Sequence, residues 1–591
     1  MSPLFDWRHR HLLAGLPEAL GTLAVYAELE GQREVAASFR GTAAHVTGLD
    51  AAERGVWLRR VLDADDSRTE ARAVRRLASE GVPAVLAAER ARLPRDLARL
   101  LAVPDVTLAD VLALHRRFGA VTASDLSAVV ALSGLRSSDV EESGLLDRLR
   151  AALPALRLGH PRLPLGLAWS VASEMTDGLH AVLGADTPIE PVGSLRRYEP
   201  TVGDIELLVT ADDPDDAIDR AAGALADTPV TYRGRQVIVA AARGEQVTVR
   251  SASPAEAPFA RLIRTGAGPH VRQLQQRALD RGWQLGPCGM YRFGASEAWS
   301  ARDEAEVYAR LDLAFVPPEL RHGDDELEAA AAGAVPTLVT VDDIRGDLHV
   351  HTLWSDGRDS VETMVVAARQ LGYEYVAITD HSPSAAASRT LTLDRLAQQR
   401  DEVARARERV SGLTVLHGVE VDILPDGRLD FPDDVLAGLD IVLASLHDAA
   451  GHGPDRLLSR YAAAMRHPLV NVVTHPANRL VGRHEGYDLD FDALFELAVE
   501  TGTILEVDGA PGHLDLDGHL ARRAVAAGVT LSIDSDCHNA VRLGRQMRLG
   551  VGTARRGWVE ARHVVNTRPL AEVQALFRRK RRDFTPSDRA D

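Results

Sequence analysis

The chain has 591 residues, more than one hydrophobic core can serve, so two to four domains are expected. A formal charge of −17 excludes a whole-chain basic footprint for nucleic acid, and leaves any such binding to local arginine patches or bound cations. There is no apolar run of about 18 residues for a membrane span, no basic-then-apolar secretory start, and only Cys288 and Cys537 as cysteines, which together point to a reducing cytoplasm.

In chain order, residues 1–95 carry Ala, Leu and Arg at helical spacing and predict a helical N-terminal domain. Residues 96–160 predict helix, tight turn, helix, with Val103-Pro104-Asp105-Val106-Thr107 as the turn and Leu108 to Phe118 as the second helix. From 161 to 258 the pattern is mixed. A helix over Leu167 to Leu183 precedes the turn Pro191-Val192-Gly193-Ser194, and strands follow at Ile205 to Thr210, Val237 to Ala240 and Gln246 to Arg250. Residues 259–328 predict helices with a break at Pro317-Pro318, and 329–342 open on small residues and predict a linker.

From 343 to 575, β-like runs alternate with helices. The runs are Asp347–His351, Tyr375–Thr379, Thr414–Val421, Ile441–Leu446, Val470–Thr474, Thr503–Val507 and Val529–Ile533. Helices are predicted over Val361–Leu371, Leu393–Val410, Arg456–Arg466, Phe491–Glu500 and His519–Ala527. Continuous apolar strands between amphipathic helices predict a parallel sheet, and seven units predict a distorted (β/α) barrel with its chemistry at the C-terminal strand ends. The fold class is therefore multidomain α/β.

At those strand ends lie His349, His351, Asp356, His381, Glu420, His447, His475, Asp536 and His538. His349 and His351 project to one side of their strand, and Glu420 is suited to bridging two ions. Imidazole with carboxylate suits Zn²⁺, Mn²⁺ or Fe, and nine ligands imply two or three cations. His417, His452 and His484 read as structural histidines, and Cys537 as a buried thiol.

These residues carry a family resemblance. Gly346-Asp347-Leu348-His349-Val350-His351-Thr352, Trp354-Ser355-Asp356-Gly357, Thr379-Asp380-His381-Ser382, Gly418-Val419-Glu420, Ser445-Leu446-His447, Thr474-His475-Pro476 and Ser535-Asp536-Cys537-His538 resemble the PHP (polymerase and histidinol phosphatase) domain. Asp426-Gly427-Arg428-Leu429-Asp430 and Leu514-Asp515-Leu516 fit the subgroup at the C-terminus of bacterial family X DNA polymerases. The resemblance implies a trinuclear site for 3′→5′ exonuclease chemistry on DNA, and cleavage at abasic sites. All nine residues match ligand positions, with Glu420 and Asp536 also at the catalytic centre. Arg479 and Arg483 match phosphate contacts. Asp534 and Cys537 depart from the smaller residues usual beside the last pair.

Upstream, Gly193-Ser194-Leu195-Arg196-Arg197 and Gly203-Asp204-Ile205-Glu206 resemble the nucleotidyltransferase palm of family X. The resemblance implies that Gly193, Ser194 and Arg197 contact the triphosphate and that Asp204 and Glu206 hold Mg²⁺ or Mn²⁺. It then fails in three places. Thr248 stands where the third carboxylate belongs, Asp105 enters the DNA-gripping turn, and Ile263-Arg264-Thr265-Gly266-Ala267 lacks the aromatic pair at the nucleotide. The chain's only lysine is Lys580, so a lysine-dependent lyase in the first domain is excluded.

The expected function is DNA repair by a metal-dependent 3′→5′ exonuclease whose polymerase activity is weak or lost. Its expected partners are single-stranded, gapped or damaged DNA and a dNTP, and the expected state is a cytoplasmic, nucleoid-associated monomer. Three other readings compete: a Mn²⁺-dependent gap-filling polymerase, a phosphatase of small monoesters, and a DNA-end scaffold without catalysis.

Overall fold

The computed structural model describes residues 7–64, 67–101, 106–118, 122, 125–126, 162–224, 230–234, 236–243, 245–295, 297–385, 389–447 and 452–581. The turn expected at Pro104-Asp105 and the chain from 127 to 161 lie outside the described residues. The chain divides into two units, one of Met1–Pro161, Ser170–Gly193 and Gly203–Leu311, the other of Arg162–Trp169, Ser194–Val202 and Asp312–Asp591.

In the first unit, helices Trp7–Leu29, Arg33–Gly48, Ala51–Asp63, Thr69–Glu80 and Val82–Arg90 form the N-terminal bundle. Leu16, Leu20 and Leu23 share one face of the first helix and pack with Phe39, Val46, Leu58, Val74 and Leu77. Helices Arg95–Leu100 and Leu108–Phe118 then lay Leu97, Leu100, Val111 and Leu114 against Val237 and Val239. Those two valines belong to a five-stranded sheet of β1 (Ile189–Pro191), β2 (Ile205–Thr210), β3 (Val230–Arg233), β4 (Val237–Ala242) and β5 (Glu245–Ala252), in the order β1-β2-β5-β4-β3. β2 and β5 run parallel, which sets Glu206 opposite Thr248 and Leu208 opposite Arg250.

Helices Ala257–Thr265 and Gly268–Asp280 follow as expected. The next stretch corrects the all-helical expectation for 259–328. Trp283–Gly286, Gly289–Arg292 and Ala298–Trp299 form a three-stranded antiparallel sheet. Each strand has two to four residues, too few for period-two alternation to stand out from the helical pattern beside it.

In the second unit, seven parallel strands follow one another in sequence order: β6 (Gly346–Asp347), β7 (Tyr375–Ile378), β8 (Thr414–Asp422), β9 (Ile441–Ser445), β10 (Val472–Val473), β11 (Ile504–Asp508) and β12 (Leu531–Asp534). A parallel bridge between Val350 and Cys537 links the first strand's continuation to that of the last, so the sheet nearly closes. Alternation sends Val376 and Ile378 outward into the layer under the helices, and Tyr375 and Ala377 inward with Leu348, Leu416, Leu443 and Val472. Val573 and Phe577 of the helix Leu570–Arg581 join this inner cluster. The stretch read as a linker is not a loose tether: Val339 is buried in the outer layer and its N–H donates to Val559.

Candidate metal centre

All nine predicted ligands meet at one rim, carried at or just beyond six of the seven strands. Three overlapping sets have donor atoms within 4.8 Å of one another: His351, Asp356, His381 and His538; His349, His351 and Asp536; His381, Glu420 and His447. His475 joins through Glu420, with Nε2 at 2.9 Å from Oε1. Asp356 reaches the rim because its loop folds back tightly on His351. A Cβ on the adjacent Gly357 would lie 2.6 Å from the Thr352 nitrogen, so only glycine permits the approach.

Glu420 is fully buried at the middle. Its Oε1 faces His475 and, at 3.6 Å, His447; its Oε2 faces His381 at 2.7 Å, His349 at 3.4 Å and His351 at 3.6 Å. One carboxylate thus presents an oxygen to each of two histidine groups. The atoms fit divalent cations better than they fit one another. Nε2 of His349 and Nε2 of His351 face each other at 3.0 Å. Buried Glu420 Oε2, His381 Nδ1 and His475 Nδ1 have no hydrogen-bond partner, despite the short His381–Glu420 approach. Lone pairs converging on shared points, misaligned with each other, are what ligands of common ions present.

Burial alone would raise the Glu420 carboxyl, but His381, His349 and His447 hold it well below the usual range. Burial alone would lower His475 and His538. Glu420 pulls the first up to about 9, and Asp536 with Asp356 pulls the second up to about 9. His351 goes the other way, to about 3, because it is buried beside His538 and His381. His475 and Asp536 also hold φ of 28° and 46°, a conformation costly for side-chain-bearing residues and found most often at functional sites.

Two supporting carboxylates were not anticipated from sequence. Asp422 accepts from the His447 backbone N–H at 3.2 Å and meets its Nδ1 at 3.0 Å. Glu506 on β11 meets His349 Nδ1 at 2.7 Å and accepts the His475 backbone N–H at 2.9 Å. Asp422 sits two residues past Glu420 on one strand, so period-two spacing was the available signal; Glu506 gave none, lying between Leu505 and Val507 in an apolar run. His513 also stacks on His475 at 5.6 Å. Of the predicted phosphate contacts, Arg483 is exposed, while Arg479 is buried, donating to the His513 carbonyl and paired with Asp517 at 3.1 Å. Cys537 is buried and donates to Asn539 and Gln546, as a structural thiol does. His417 is buried with Nε2 at 3.1 Å from Gln399 Oε1.

The palm residues are arranged differently. Glu206 is buried and clasped by two guanidiniums, Arg250 at 2.5 Å and Arg264 at 3.0 Å. Asp125 pairs with the same two arginines, at 2.6 and 3.3 Å. Thr248, buried beside Glu206, leaves its hydroxyl without a hydrogen bond. Asp204 is partly exposed just before β2. Gly193 and the two carboxylates belong to the first unit, whereas Ser194 and Arg197 belong to the second. There Arg197 is paired with Glu199, which Arg556 also holds at 2.8 Å. A cleft of about 1140 Å³ in the first unit is lined by Arg33, Arg116, Arg233, Arg250 and Arg264 among others.

A nearly closed parallel barrel of seven strands, with histidines and carboxylates gathered at one rim, follows a five-stranded mixed sheet, the order of a polymerase beta-like chain with a PHP domain. Residues 260–322 match the family model of the DNA polymerase beta thumb, and 347–509 that of the PHP domain. The DNA polymerase/3′-5′ exonuclease PolX of Bacillus subtilis (strain 168) is 32% identical over 582 residues, covering 95% of this chain and 98% of that protein. A probable phosphatase of Thermoanaerobacter sp. (strain X514) is 29% identical over 212 residues, 34% of this chain and 81% of that protein. Polymerase beta of Leishmania infantum, in a ternary complex, aligns with a TM-score of 0.27 at 18% identity, over 38% of this chain and 98% of that one. The chain belongs to the bacterial family X DNA polymerases that carry a C-terminal PHP domain.

Proposed function

We propose that this chain is a DNA repair nuclease that hydrolyses phosphodiesters from 3′ ends at the barrel rim, with divalent cations held by the nine ligands. The observation that carries the reading is Glu420, buried, with each oxygen turned to a different histidine group. Bound cations would supply positive field for the scissile phosphate and acidify a water for attack. His349, His351, Asp356, His381, His447, His475, Asp536 and His538 would hold and orient them. Arg483, exposed at the rim loop, meets the incoming phosphate chain. The test is digestion of a 3′-labelled single strand with Mn²⁺ or Zn²⁺, with an abasic duplex as second substrate. His349→Ala and Asp536→Ala are expected to abolish cleavage while the protein stays folded, and undiminished rates would refute the assignment.

For the palm we infer weak or lost nucleotide addition. A cation at Glu206 must displace Arg250 and Arg264, and separating a buried pair costs about 3 kcal/mol or more. Thr248 removes the third carboxylate that would help the attacking hydroxyl. Primer extension on a gapped duplex tests this: extension abolished by Asp204→Ala would overturn it. The relation to probable phosphatases favours a second reading, hydrolysis of small phosphate monoesters by the barrel, which equal turnover of DNA and a sugar or amino-alcohol phosphate would support.

A further inference from the structure

We infer that Glu506 is a positioning residue of the metal centre, one carboxylate that fixes two ligands and selects the His349 tautomer that offers Nε2 to a cation. The inference rests on the metal-centre reading above and adds a residue outside the nine ligands.

β11 is the barrel strand that contributes none of those nine. What it contributes is Glu506, at 0% exposure. Oε1 lies 2.7 Å from Nδ1 of His349, and Oε2 accepts the backbone N–H of His475 at 2.9 Å. The ligands so joined come from the ends of β6 and β10. The brace itself is held from both sides. Its carbonyl accepts from Leu516 at 3.1 Å, its register partner on β12 is Ser532, and Leu505 and Val507 beside it are buried in the layer under the helices. The ring and the backbone it holds therefore have little freedom to drift.

Both partners of Glu506 are donors, which makes the charge and the two oxygens matter separately. A carboxylate opposite Nδ1 requires the proton on Nδ1, so Nε2 keeps its lone pair. That Nε2 is the atom facing Glu420 and His351. In a Glu506→Gln variant, one oxygen must serve two donors. If the amide oxygen takes Nδ1–H, the NH₂ confronts the His475 N–H. If it takes the backbone N–H, the NH₂ donates to Nδ1 and moves the imidazole proton to Nε2, where it blocks a cation. Either way a near-isosteric change strikes one ligand position.

Two measurements test this. First, ¹⁵N-histidine NMR of the zinc-loaded wild-type protein, with the His349 signal assigned by its loss in His349→Ala, is expected to show the proton on Nδ1. A proton on Nε2 overturns the inference, and this reading survives even if the variant misfolds. Second, manganese titration of metal-free protein is expected to show Glu506→Gln binding one cation of the set about 10- to 100-fold more weakly, with the remaining sites and the metal-free melting curve nearly unchanged. Unchanged affinity in Glu506→Gln overturns the role of Glu506 alone. Failure of the wild-type protein to bind manganese or zinc overturns the metal-centre reading itself.

Discussion

His475 and His538 give the centre a definite pH signature. Both are drawn from an ordinary 6.5 up to about 9, against burial, which lowers them, by Glu420 in the first case and by Asp536 with Asp356 in the second. A cation binds only the unprotonated ring, so protons compete with metal below pH 9. Apparent manganese affinity should rise by about tenfold per pH unit for each proton displaced, read by calorimetry in buffers of different ionisation enthalpy. The metal-free fold behaves in the opposite sense. A folded-state value raised above the unfolded one gives stability that is complete below 6.5 and lost as pH rises through 9. The metal-free melting temperature should therefore fall between pH 6.5 and 9 while the manganese-induced increment grows. A metal-free melting temperature that climbs over that range contradicts the account. At this scale the residues that gather at the rim were legible because histidine and acid recur directly after apolar runs, and because those motifs resemble a known domain. Glu506 and Asp125 were not, because their partners lie 157 and 125 residues away in sequence.

The strand pair β2–β5 shows how a local departure propagates. Parallel register puts Glu206 opposite Thr248 and Leu208 opposite Arg250, and the Arg250 guanidinium lies against Glu206 at 2.5 Å. Arg250→Met would leave Glu206 and Asp125 buried with only Arg264 between them. It should destabilise the protein by about 3 kcal/mol or more in urea denaturation, and a loss below about 1 kcal/mol would show that the pairing is incidental. Thr248→Asp alone should restore no primer extension, since both arginines still neutralise Glu206; extension by that variant would contradict the pairing. Element prediction succeeded where an apolar run marks the strand, even where the strand itself is only two residues, as at Val472–Val473. The palm strand at Ile205–Thr210 has the predicted bounds, and each of the seven barrel runs overlaps an observed strand. It failed at Trp283–Trp299, where a Pro287-Cys288-Gly289 turn and strands of two to four residues carry almost no periodic signal.

At the scale of the whole chain, the likeness to a family X polymerase with a PHP domain extends over 95% of the sequence. The barrel rim brings histidines and carboxylates together in sets whose donor atoms lie within 4.8 Å, whereas Glu206 in the five-stranded sheet is ion-paired to Arg250 and Arg264. No helix among the described residues is long and apolar enough to cross a membrane. With a formal charge of −17, DNA must be held by local arginines and cations, so binding should weaken steeply with added salt and with chelator. The central claim is a cation cluster at the barrel rim, and anomalous scattering from a manganese-loaded crystal tests it most directly. Two or three peaks within coordination distance of Glu420, His349, His381 and Asp536 are predicted. A rim with no peak among these side chains would contradict it.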